Sequence, residues 1–258
     1  MAGRPTQSGP RVIVITGAAR GIGRATAATL AARGHRLILA DLDGDLATEA
    51  AESIGCGAEG RALDVTDRSA FRELLTRVEA DHGLIDVLIN NAGIAPAAPR
   101  AVDEDEAMLR RTIDINLFGV MNGTLEAVRL MEPHRSGQVI NIASVAGLMG
   151  VPGLAGYAAS KWGVIGFTES IRAEMSGSGL AFTCVMPGPV ATEMMAGTSS
   201  SPGGAGGADR RRGRHREGAS HASRLERPAG PFRDGSAALA GKSPGQGTGR
   251  GQGLHADR

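Results

Sequence analysis

Short runs of Val, Ile and Leu recur along the first 195 residues, each bounded by Gly, Asp or Asn and separated from the next by a longer helical pattern. The runs Arg11–Thr16, Arg36–Ala40, Gly60–Asp64, Ile85–Asn90, Gln138–Ala143 and Ala181–Met186 read as strands. The stretches between them, Gly23–Arg33, Gly44–Ile54, Arg68–His82, Asp103–Met131 and Gly156–Met175, read as helices. Six strands alternating with helices imply parallel pairing through right-handed crossovers. The expected fold is therefore α/β, a doubly wound parallel sheet with helices on both faces, which takes its ligands at the carboxyl ends of the strands.

The pattern stops abruptly. After Val190 there is no further Val or Ile, and residues 196–258 carry fifteen Gly with only Leu225, Phe232, Leu239 and Leu254 as large apolar side chains. So little apolar surface does not offset ordering entropy, and this low-complexity tail is expected to be disordered, with the last strand of the sheet missing. The expected organisation is a flexible 1–10, a domain over 11–195 and the tail over 196–258. Charge divides in the same place: the chain carries a net +1, made of about −5 in the body and +6 in the tail. A Gly, Arg, Ser and Pro-rich end joined to a well-patterned body is what translation out of frame from a GC-rich gene would produce. Arg210–Arg212 are expected to be solvated, with nucleic acid no expected partner.

Composition narrows the class further. Hydrophobic residues at 41% and charged residues at 21% exclude collagen-like, wholly disordered and disulfide-scaffold chains. Cys56 and Cys184 lie far apart without metal-ligand spacing, so no metal is expected and a reducing, cytoplasmic setting fits. No apolar run approaches the ~18 residues of a membrane span, and Met1–Pro10 lacks an apolar targeting core.

Chemistry first becomes visible at Thr16-Gly17-Ala18-Ala19-Arg20-Gly21-Ile22-Gly23, a glycine turn between the first strand and the first helix. Glycine there lets the backbone turn tightly and lets a pyrophosphate approach the first amides of a helix, whose dipole favours an anion. Eighteen positions beyond Gly23, Asp41 ends the second strand, where a carboxylate accepts hydrogen bonds from an adenosine ribose. Together they predict a dinucleotide site.

A rarer signal lies downstream. The chain has twenty-six arginines but only two lysines, Lys161 and Lys242, and a single tyrosine, Tyr157. Four residues separate Tyr157 from Lys161, so both fall on one helix face. A surface ion pair could use arginine, so a lysine here implies that a compact ammonium is required. A phenol is a poor acid or base at neutral pH unless a neighbouring cation favours its phenolate. With that help Tyr157 exchanges a proton with an alcohol or ketone, while Ser144, just past the fifth strand, holds the same oxygen.

At these residues the chain resembles the short-chain dehydrogenase/reductase family, over about 11–195. The resemblance implies a Rossmann-type fold, with the turn Gly17, Arg20, Gly21, Ile22 and Gly23 as the cofactor fingerprint. It also implies that Asp64 and Val65 contact adenine, and that Asn91, Ala92 and Gly93 line the cofactor after the fourth strand. Asn116 corresponds to the asparagine that holds a water in a proton relay, and Ser144, Tyr157 and Lys161 to the catalytic residues. Tyr157 and Lys161 would also touch the cofactor, and Pro187, Gly188, Val190 and Thr192 would close over its nicotinamide. The expected activity is hydride transfer between a nicotinamide cofactor and a secondary alcohol or ketone, lipophilic given Ile94, Ala95, Val145, Leu148, Met149, Val151 and Leu154. NAD is expected over NADP because of Asp41, and a homodimer or homotetramer through the two long helices. Family members usually continue past the threonine into a substrate lid, another helix and a seventh strand, and nothing from Gly197 onward reads that way. The alternative is therefore a dinucleotide-binding or impaired member without turnover.

Overall fold

Five consecutive apolar or β-branched residues, Val12–Thr16, form strand β1 with all five side chains buried, as a strand covered on both faces requires. The computed structural model containing it describes residues 9–98 and 100–188, all within one unit spanning Met1–Gly204. The tail over 196–258, together with Val190 and Thr192, lies outside the described residues. Strands β2 (Arg36–Asp41), β3 (Glu59–Ala62), β4 (Val87–Asn90), β5 (Gly137–Ile142) and β6 (Leu180–Val185) complete a six-stranded sheet among them. Every pair is parallel and the order is β3-β2-β1-β4-β5-β6. The order reverses between β1 and β4, which opens a crevice at their carboxyl ends.

Helices cover both faces. On one, Ala27 and Ala31 of α1 (Gly21–Ala31) and Ala50 and Ala51 of α2 (Gly44–Ile54) pack on Ile13, Ile15, Leu39, Val87 and Ile89. Alanine on these helices lets them lie close to the sheet. On the other face, Phe71 and Leu75 of α3 (Arg68–His82) and Ala127 and Met131 of α5 (Gly119–Met131) meet Val14, Ile38, Leu88 and Val139. Helices α3 and α5 are also joined by charge: buried Glu126 of α5 accepts hydrogen bonds from Arg68 (2.6 Å), Arg72 (2.9 Å) and Arg129 (2.9 Å). These arginines, Arg72 foremost, pull the Glu126 carboxyl down to about 2.

Most predicted boundaries shift by a residue or two, and two shifts have a visible local reason. The helix expected from Asp103 starts instead as α4 (Glu106–Ile113), because the Asp105 carboxylate accepts from the Met108 N–H and caps it. It continues into α5 through a π-helical turn, Asp114–Phe118, that hydrophobic periodicity does not register. The third strand ends at Ala62 rather than Asp64, because the Asp64 carboxylate closes a turn onto Thr66 instead.

Candidate functional site

The first wall of the crevice is the glycine turn. Gly17 adopts φ +63, and a Cβ there would sit 2.7 Å from the Ala92 Cα, so only glycine fits between β1 and the segment after β4. A Cβ on Gly23 would collide with the Gly17 carbonyl. Asp43, Asp67 and Asp105 cap α2, α3 and α4 with their carboxylates, whereas α1, with Arg20 at its N-cap position, has no side-chain cap and no acid in its first turn. Its leading amides therefore have no side-chain acceptor of this kind and could take an anionic ligand.

Asp41 stands beside this turn at the end of β2. Its Oδ2 accepts from the Ala19 N–H at 3.1 Å, and its Oδ1 makes only a long bond, 3.4 Å, from the Asp43 N–H. One carboxylate oxygen thus fastens the turn to β2 while the other is weakly engaged. The Asp64 carboxylate is exposed and closes its own turn. The neighbouring Val65 is buried against Gly119 and takes the Asn122 amide on its carbonyl at 3.1 Å.

The segment after β4 is bolted to β1. Thr16 Oγ1 accepts from the Asn91 and Ala92 N–H groups at 3.0 and 3.1 Å, and the Asn91 amide donates to the Thr16 and Gly17 carbonyls, both at 2.9 Å. Gly93 comes next. A Cβ on it would lie 3.0 Å from Asn116 Oδ1 and 3.5 Å from Lys161 Nζ, which brings the motif after β4, the π turn and the lysine to one point.

Asn116, fully buried in the π turn, spends its side chain on neighbours. Its Oδ1 accepts from the Ile94 N–H (2.8 Å), and its amide donates to the Ile94 carbonyl (2.8 Å) and to Ser160 Oγ (3.1 Å). Ser160 Oγ in turn donates to the Tyr157 carbonyl at 2.6 Å. The Asn116 side chain is thus a strut between the segment after β4 and the helix bearing Tyr157. Ser160 was not singled out by sequence reasoning. Its only cue was its place between Tyr157 and Lys161 on the buried side of the helix.

That helix, α6 (Ala155–Glu174), carries the tyrosine and the lysine. Lys161 is 4% exposed, donates from Nζ to the Ile142 carbonyl at 2.8 Å and lies 5.8 Å from the centre of the Tyr157 ring. Burial pushes its ammonium down to about 8, so it stays largely charged at neutral pH. Ser144 stands two residues past Ile142 and caps a short 3-10 turn, its Oγ accepting from the Ala146 N–H at 3.2 Å. That bond uses an oxygen lone pair and leaves the hydroxyl proton for another acceptor. The turn Val145–Gly147 packs on α6, since a Cβ on Gly147 would lie 2.9 Å from the Lys161 backbone. The Pro187 carbonyl accepts from the Val145 N–H at 3.1 Å, so the segment after β6 also reaches this corner.

Serine, tyrosine, lysine and glycine turn thus collect along one sheet edge, and comparison with known proteins places that arrangement. The chain is 38% identical over 203 residues to 3-oxoacyl-[acyl-carrier-protein] reductase of Synechocystis, covering 74% of this chain and 79% of that protein. It is 40% identical over 193 residues to 3-oxoacyl-[acyl-carrier-protein] reductase FabG of Thermotoga maritima, covering 71% and 76%. The crystal structure of levodione reductase is similar with a TM-score of 0.69 and 32% identity, over 73% of this chain and 75% of that one. The family model for short chain dehydrogenases matches residues 11–202, the stretch that carries every element described above. The chain belongs to the short-chain dehydrogenase family.

Proposed function

We propose that the protein is a nicotinamide-dependent oxidoreductase that interconverts a lipophilic ketone and its secondary alcohol, with Tyr157 as proton donor. The observation that carries this reading is the buried Lys161 ammonium, held on the Ile142 carbonyl and 5.8 Å from the only tyrosine ring of the chain. When bound, the cofactor supplies the hydride that the side chains themselves lack. During reduction the Tyr157 hydroxyl gives its proton to the carbonyl oxygen as that oxygen becomes an alkoxide. Ser144 donates its free hydroxyl proton as a hydrogen bond to the same oxygen. The Lys161 ammonium stabilises the phenolate left behind, and oxidation runs the transfers in reverse. Asn116 keeps the segment at Ile94 and the helix of Tyr157 at a constant separation.

The residues present fit a dinucleotide. The uncapped start of α1 and the Gly17–Gly23 cradle suit its pyrophosphate, and Ala92 and Gly93 would line its course toward Lys161. Asp41 would hold the ribose hydroxyls, which favours NAD over NADP. A hydrogen bond to a charged group contributes about 1.5 to 3 kcal/mol, and a carboxylate facing a 2′-phosphate adds repulsion. NAD is therefore expected to bind at least tenfold more tightly in fluorescence titrations, despite Arg20 in the turn. Tighter NADP binding would reverse the assignment.

The ketone substrate is supported by the relatives, whose name specifies a 3-oxoacyl group, and by the apolar residues Val145, Leu148, Met149, Val151 and Leu154 that follow Ser144 in the chain. Tyr157→Phe tests the chemistry. With 3-oxoacyl thioesters and cyclic diketones as probes and nicotinamide absorbance as the signal, turnover is expected to fall roughly 10²- to 10⁴-fold while cofactor binding is retained. A variant within a few-fold of the parent would refute the role of Tyr157. We further propose that the chain forms a homodimer through α5 and α6, where Phe118 at the π turn and Trp162 on α6 are 51% and 62% exposed.

A further inference from the structure

Asn141 lies in the body of β5 on the side that faces the core: burial alternates along Gly137–Ile142, and Val139, two residues earlier on that side, packs in the main hydrophobic cluster. An apolar residue would fill such a position at no polar cost, so a wholly buried amide there needs a partner for each of its polar atoms. It has them on three elements. Asn141 Oδ1 accepts from Asn90 Nδ2 of β4 (2.9 Å) and from Thr124 Oγ1 of α5 (3.3 Å). Asn141 Nδ2 donates to Thr168 Oγ1 of α6 (3.0 Å), whose own proton goes to the Val164 carbonyl (2.7 Å). Cys184, its register partner on β6, stands next in the same row.

Two connections therefore run from β5 to α6. Asn141 is bonded to Thr168, and the next residue, Ile142, offers its carbonyl to Lys161. Thr168 and Lys161 are seven residues apart, two turns of helix, and so lie on one face. Hydrophobic contact alone lets a helix slide over a sheet by fractions of an ångström, whereas directional bonds at low dielectric do not. We propose that Asn141 is a positioning residue for the lysine: by tying β4 and α6 to β5 it fixes the Ile142 carbonyl where Lys161 Nζ reaches it. The inference deepens the catalytic reading above and rests on it for its functional meaning, but its geometry can be tested alone.

Because the chain has two lysines, a sample labelled with 13C at the lysine ε carbon gives two signals, and Lys242→Arg assigns them. Titration then reads Lys161 directly, with no substrate required. In Asn141→Leu and in Thr168→Val alike, the Lys161 midpoint is expected to move by about half a pH unit or more, roughly a threefold change in proton affinity. Cooperative thermal unfolding should be kept. Thr112→Val removes an equally buried hydroxyl, bonded within α4 to the Met108 carbonyl, and should leave the midpoint in place. A smaller movement in both folded variants would overturn the proposal, and so would an equal movement in Thr112→Val, since general loosening would then explain it. If Asn141→Leu does not fold, the isosteric Thr168→Val decides alone. Turnover surviving in Tyr157→Phe would refute the catalytic reading, while the lysine titration would still decide the role of Asn141 separately.

Discussion

Lys161 is the residue at which stability and the proposed chemistry conflict. Burial lowers its pKa from 10.5 to about 8, so between these values the unfolded chain holds more protons than the folded one. Stability contributed by this group therefore rises with pH across that window, and the cost of the buried ammonium is fully present below it. The shift corresponds to roughly 3 kcal/mol at about 1.4 kcal/mol per unit. Lys161→Met is expected to unfold at higher temperature than the parent at pH 7, with the difference shrinking between pH 8 and 10.5. Calorimetry at the two ends of that range checks it, and a difference constant with pH would mean that Lys161 is not titrating there. The sequence identified this residue through its rarity, but its partner, the Ile142 carbonyl, is a backbone group that no residue choice reveals.

At the scale of elements, the junction of α3 with α5 depends on one carboxylate. Glu126 is 2% exposed and gathers arginines from both helices, which lowers its carboxyl from 4.5 to about 2. A depressed acid of this kind stabilises fully above its unfolded value, and the contribution is lost as pH falls from about 4.5 through 2. Glu126→Gln keeps the shape and removes the charge. Its expected cost is roughly 1 to 3 kcal/mol at pH 7, lower than for a sealed ion pair because the arginines are half exposed. In urea unfolding the gap to the parent should narrow by about half as pH drops to 3, and a gap unchanged over that range would assign the loss to packing. Strand and helix placement along this face was legible from periodicity. The π turn and the Asp105 cap were not, because both turn on single hydrogen bonds, which a repeat of 3.6 does not encode.

For the whole molecule, the proposed dimer has an internal reporter, since Trp162 is the only tryptophan. If two copies meet across α5 and α6, its emission should shift to shorter wavelength as the concentration rises through the micromolar range, and Trp162→Glu should abolish both the shift and the faster-sedimenting species. Emission independent of concentration alongside a dimer in sedimentation would place the interface elsewhere. Among the described residues β6 ends the sheet, so its outer backbone groups form an edge. A dimer through the helices leaves that edge uninvolved.

The alternation of apolar runs and helical stretches was enough to determine a parallel doubly wound sheet, since six such strands close a core in few other ways. Local chemistry likewise marked the glycine turn, Asp41 and the Tyr157–Lys161 pair as candidates, because their constraints act over a few adjacent residues. The tertiary structure alone decided which groups those residues meet. Thr16 holds Asn91 across 75 positions of sequence, Asn116 reaches Ser160 across 44, and Asn141 reaches Thr168 across 27. Such bonds exist only once the strands lie side by side: a polar residue inside an apolar strand marks that a partner is needed, but strand order and register select which one.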